Sequence, residues 1–135
     1  MIFMLCFFVI GLGAGIVSVF ARHRGLQSYL QRACTGRQWR RRFPNASKSQ
    51  IRAFLDLFVK DFGLCRKRRL CFSPDDRVMD IYRTLNPPKW TLADALELET
   101  LARDMMQSYH TDIVPIWRDD ITLGDLFAKI RTNAI

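Results

Sequence analysis

Acidic residues are missing from the first part of this chain: no Asp or Glu precedes Asp56. Charge of either sign is missing from Met1 to Phe20. Stretches with strand-like alternation are scarce and short, which argues against a sheet. The four cysteines, Cys6, Cys34, Cys65 and Cys71, match no zinc spacing, and the two histidines, His23 and His110, stand apart from them. No metal site is therefore expected. Reduced thiols are the expectation, with a Cys65–Cys71 pair the alternative in an oxidising compartment. No nucleophile motif and no paired acid and base stand out, so neither an enzyme nor a bound cofactor is expected and no residue is assigned a catalytic role. Asp119-Asp120 is read as favouring the N-terminus of the next helix rather than holding a cation.

What is present is arranged unevenly. The 135 residues suffice for one domain and an appendage. The formal charge of +8 hides a polarity: seven arginines and no acid lie between Arg22 and Arg42, whereas the chain from Thr91 onward carries a net −4. A basic neck and an acidic C-terminal half imply different partners for the two parts.

Residues 1–21 read as a transmembrane anchor. Twenty helical residues span about 30 Å, the thickness of a hydrocarbon core. A secretory signal is the main rival. It is disfavoured by the missing basic n-region, the length of the apolar stretch and a poor cleavage site at Val19-Phe20-Ala21. A translation start further downstream would remove the segment altogether. With an uncleaved anchor, the arginine-rich flank stays cytoplasmic, giving a single-pass protein whose C-terminal domain faces the cytoplasm. Gly11 and Gly15 form a G-x-x-x-G pair, a motif through which two membrane helices can approach as a homodimer.

Residues 22–46 read as an arginine-rich juxtamembrane neck and linker. Leu26, Tyr29, Leu30 and Ala33 recur at helical spacing. Trp39 and Phe43 sit beside Arg40, Arg41 and Arg42. Arg22, Arg24, Arg37, Arg40, Arg41 and Arg42 are assigned to an anionic membrane surface, each contributing about 1 kcal/mol near the headgroups. Nucleic acid is the rival ligand for arginines with interleaved aromatics. The position directly after a membrane span favours lipid, and no nucleic-acid partner is expected.

Residues 47–135 read as an all-α domain. Ser47 or Ser49 caps a helix whose buried stripe is Ile51, Phe54, Leu55, Phe58, Val59 and Phe62, ended by Gly63 in a left-handed conformation. Arg66 to Arg69 read as a solvated loop. Ser73-Pro74-Asp75-Asp76 predicts the opening of a shorter helix with Val78, Ile81, Tyr82 and Leu85 inward, stopped by Asn86-Pro87-Pro88. Thr91-Leu92-Ala93-Asp94 predicts a capped helix burying Leu98, Leu101, Ala102, Met105 and Tyr109. Thr122 opens a last helix burying Leu123, Leu126, Phe127 and Ile130.

Ala93-Asp94-Ala95-Leu96-Glu97-Leu98-Glu99-Thr100-Leu101 resembles the attachment motif of acyl carrier proteins, Asp-Ser-Leu, and the helix that follows it. Tyr109-His110-Thr111-Asp112-Ile113 and Ile121-Thr122-Leu123-Gly124-Asp125-Leu126 are similar to the turn and the final helix of that family. The resemblance covers roughly residues 49–131, with 84–92 as an insertion, and implies a four-helix bundle of the phosphopantetheine-attachment superfamily. In the triplet Asp94-Ala95-Leu96 the family's serine is replaced by Ala95. A methyl group offers no oxygen to attack a pyrophosphate, so the attachment position is degenerate. Carriers present the acidic start of this helix to basic patches on their enzymes. The resemblance therefore implies a protein partner with a basic surface for Leu96, Glu97, Glu99 and Asp104. The function expected is a membrane-anchored, non-acylated carrier-like interaction module. The alternative is a working acyl carrier in lipid or polyketide metabolism, modified at a non-standard hydroxyl.

Overall fold

A computed structural model describes residues 25–86 and 96–134. The expected membrane anchor 1–21 with Gly11 and Gly15, Arg22 and Arg24, and the stretch 87–95 with Asp94 and Ala95 lie outside the described residues. In chain order the elements are a helical stretch 25–30 (α1), Gly36–Arg42 (α2), Lys48–Asp61 (α3), a 3-10 turn Arg66–Cys71, Val78–Leu85 (α4), Leu96–Tyr109 (α5), a 3-10 turn Val114–Ile116 and Leu123–Asn133 (α6). Among the described residues there is no strand, only an isolated antiparallel bridge between Arg77 and Thr122. The chain is all-α. Among the described residues no helix is long and apolar enough to cross a membrane.

α3 organises the core, and its ends explain its length. The Ser47 side chain accepts from the Gln50 N–H while the Gln50 side chain accepts from the Ser47 N–H, satisfying two otherwise orphaned donors. At the far end Gly63 has φ +64°, so that the Leu64 N–H reaches the Val59 carbonyl (2.7 Å) and the Gly63 N–H the Lys60 carbonyl (3.1 Å). That is a Schellman stop, open to glycine because it lacks a Cβ. Between the ends Ile51, Phe54, Leu55, Phe58 and Val59 are all buried, as their 3.6-residue period requires. α6 is built the same way, with a Thr122–Asp125 capping box and Leu123, Leu126, Phe127 and Ile130 buried.

Two segments differ from their sequence pattern. Ser73 to Asp76 form a turn rather than the first turn of α4, which begins only at Val78. The Asp76 carboxylate accepts from the Ser73 N–H (2.7 Å). The carbonyls of Pro74 and Asp76 accept the N–H groups of Gly124 (2.8 Å) and Leu123 (3.0 Å). The turn is thus committed to α6 and cannot wind into α4. Arg66 to Arg69, expected as a solvated loop, lie in the 3-10 turn packed on α3, where Arg66 and Arg69 pair with Asp56 at 3.0 and 3.2 Å.

The largest difference concerns the neck. Sequence periodicity sets the start of the folded part at residue 47, yet Trp39 is fully buried. Its indole N–H donates to the Phe72 carbonyl at 2.9 Å, and its ring meets Phe43, Phe54 and Phe127. Buried Thr35 donates its backbone N–H to the Leu70 carbonyl (2.8 Å), and its hydroxyl lies 2.7 Å from the Phe72 carbonyl oxygen. Upstream, Tyr29 stacks on Phe72 and Arg32 grips Asp76 with both carboxylate oxygens at 2.7 Å. From residue 29 onward the arginine-rich segment belongs to the fold.

Candidate interaction face on the fifth helix

α5 enters the body through Leu101 and Met105, both fully buried, with Leu98, Ala102 and Tyr109 partly so. The opposite side of the helix is left to solvent. At about 100° per residue, Leu96, Glu99, Arg103 and Met106 fall within roughly 80° of arc and extend over about 15 Å. All four are exposed, Leu96 to 58% and Met106 to 45%.

The four residues singled out in the sequence are not equivalent. Leu96 opens the helix and Glu99 points outward beside it. Glu97 is half-buried and accepts a hydrogen bond from the Asn86 side-chain amide at 3.3 Å, which ties the start of α5 to the end of α4. Asp104 does not belong to the exposed face. Its side chain is only 14% exposed and takes a 2.7 Å ion pair from Lys60 of α3. The Lys60 ammonium holds the Asp104 carboxyl below its ordinary range. The same ammonium lies 3.4 Å from Asp61, whose side chain is completely buried and makes no hydrogen bond at either oxygen. Burial, reinforced by the neighbouring Asp104, pushes Asp61 up to about 6. Sequence spacing gives no hint of this α3–α5 junction, because the two carboxylates meet only through packing.

The arginines assigned to a membrane surface also divide. Arg37, Arg40 and Arg41 are exposed. Arg42 turns toward the body, pairing with Asp75 at 2.9 Å and Asp125 at 3.1 Å. Its guanidinium covers Gly124, where an added Cβ would meet Arg42 Nη1 at 2.6 Å and the Pro74 carbonyl oxygen at 2.8 Å. Burial raises the Asp125 carboxyl, but the Thr122 hydrogen bonds with Arg42 and Arg118 outweigh it and hold the group below its usual value. Cys34, Cys65 and Cys71 are free thiols. Comparison with known proteins finds no matching family model, no matching curated protein and no matching solved structure.

Proposed function

We propose that this protein is a membrane-anchored, acyl-carrier-like module that carries no pantetheine arm and works by protein–protein contact. Its partner docks a basic surface on the first turns of α5. The observation that carries this reading is the exposure of Leu96 and Glu99 together, an apolar anchor beside an exposed acid at a helix start. Half-buried Glu97 adds a second negative charge from a fixed position. Such a combination gives an apolar contact its energy and the charges their orienting role. The sequence supports the remaining parts: Ala95 removes the oxygen that a carrier needs, and the apolar residues 1–21 supply the anchor.

The test is affinity capture from solubilised membranes of the parent cells, using the full chain and a Glu97→Lys/Glu99→Lys variant. Loss of a stoichiometric partner in the variant, with an unchanged helical circular-dichroism spectrum, is expected; equal recovery would refute the face. Intact mass after co-expression with a phosphopantetheinyl transferase separates the module from a working carrier. An unmodified mass is expected, and a pantetheinyl adduct would overturn the reading. Among the described hydroxyls that border these elements, Ser73 is buried and its Oγ already accepts from the Asp75 N–H at 3.1 Å.

A further inference from the structure

A second feature uses none of the α5 residues. Where α2 faces the first turns of α3, a cleft of about 300 Å³ opens. Arg37 and Arg40, three apart on α2, and Lys48 and Arg52, four apart on α3, stand around it, each pair on one face of its helix. Buried Ile51 and half-buried Leu70 give it an apolar side. None of the lining residues is acidic.

What sets these four cations apart is that they face one concavity that holds no carboxylate among its lining residues. Arg32, Arg42, Arg66 and Arg69 all pair with carboxylates of the fold. Arg37, Arg40, Lys48 and Arg52 are exposed and engage no described carboxylate. The next acid along α3, Asp56, is already occupied by Arg66 and Arg69. α3 adds to the imbalance, since its first turn contains no acid and Lys48 sits at the positive end of the helix dipole. Four like charges around one concavity, with no counterion among the described residues, raise a local potential that a multiply charged anion relieves. Two arginines supply planar donor forks suited to phosphate oxygens.

We infer that the α2–α3 cleft is a binding site for a phosphomonoester or diphosphate group whose attached body rests on Ile51 and Leu70. The volume suits one headgroup-sized ligand and is too small for a run of nucleic-acid phosphates. The same chemistry is offered by a soluble phosphorylated metabolite and by a phosphorylated lipid headgroup.

Calorimetric titration of the full chain in non-ionic detergent, at physiological ionic strength, tests this with two probes. Inorganic pyrophosphate represents the soluble source, and a short-chain phosphatidylinositol phosphate the lipid one. Saturable binding of at least one probe is expected. Binding of the lipid alone assigns the site to a headgroup, and equal binding of both assigns it to the phosphate itself. Arg40→Gln/Arg52→Gln is expected to weaken binding about tenfold or more, with an unchanged melting temperature because neither side chain holds the fold together. Arg37→Gln/Lys48→Gln is expected to do the same. Lys67→Gln/Arg68→Gln, which removes equal charge from the 3-10 turn, is expected to leave affinity within about twofold, as screened surface charges do. Absence of saturable binding to both probes, or an equal loss in the Lys67/Arg68 variant, would overturn the assignment.

Discussion

The Asp76 carboxylate accepts from the Ser73 N–H and from the Arg32 guanidinium, while the residue's backbone carbonyl accepts the Leu123 N–H of α6. Replacing Asp76 by Ala leaves a buried N–H without its acceptor and Arg32 without its counter-charge. A loss of about 2–3 kcal/mol in urea unfolding is expected, at the upper end for hydrogen bonds to charged groups. Arg32→Ala is expected to cost less, because the arginine is 38% exposed and Asp76 keeps its backbone donor. Asp61 makes the opposite kind of contribution. Its carboxyl titrates near 6 in the folded chain against 3.8 unfolded, so the native state holds the extra proton between those values. The stabilisation is complete below pH 3.8 and is lost as pH rises through 6. Asp104, held low by Lys60, acts with the reverse sign, contributing above 3.8 and failing as acid protonates it. Asp61→Asn keeps the shape and can donate to Asp104. It is expected to abolish the fall in stability between pH 4 and 6.5 and to gain about 1–3 kcal/mol at neutral pH, as urea unfolding at a series of pH values will report.

Among the elements, α3 has boundaries set by local chemistry alone. Nothing lies within 4 Å of a Cβ built on Gly63, so Gly63→Ala tests backbone strain without a steric contribution. A destabilisation of about 1 kcal/mol is expected by thermal or urea unfolding. The same stop is legible in sequence because it needs only a glycine after an apolar stripe. α4 is different. Ser73-Pro74-Asp75-Asp76 carries the signature of a helix start, yet Leu123 and Gly124, 47 and 50 positions downstream of their acceptors, use the turn's carbonyls. A local signal lost to a non-local hydrogen-bond set. On α5 the apolar period located Leu101 and Met105 in the core correctly. It did not separate Glu99, which faces solvent, from Asp104, which faces Lys60, because both are acids on a helix rich in acids.

For the whole molecule, the decisive question is where the fold begins. A chain starting at residue 47 lacks Trp39, Phe43 and the Arg32 and Arg42 pairs, whereas a chain starting at 25 keeps them. The longer form is expected to melt cooperatively and the shorter to lose its cooperative transition, since deleting a buried Trp side chain alone costs about 3–5 kcal/mol. Differential scanning calorimetry of both will decide, and a sharp transition in the shorter chain would refute the integration of α2. The sequence by itself determined the helical class, the buried stripes of α3, α4 and α6, the start of the last helix at Thr122 and the Gly63 stop, all of which depend on residues within a few positions of one another. It also determined that residue 95 bears no hydroxyl. Only the tertiary structure decided that Trp39 is core, that Arg32 and Arg42 are internal counterions, and that Asp61 meets Asp104. The carboxylates answering those arginines lie 33 to 83 positions further along the chain. A run of arginine with interleaved aromatics looks the same on a membrane surface and inside a fold until those distant partners are brought into contact.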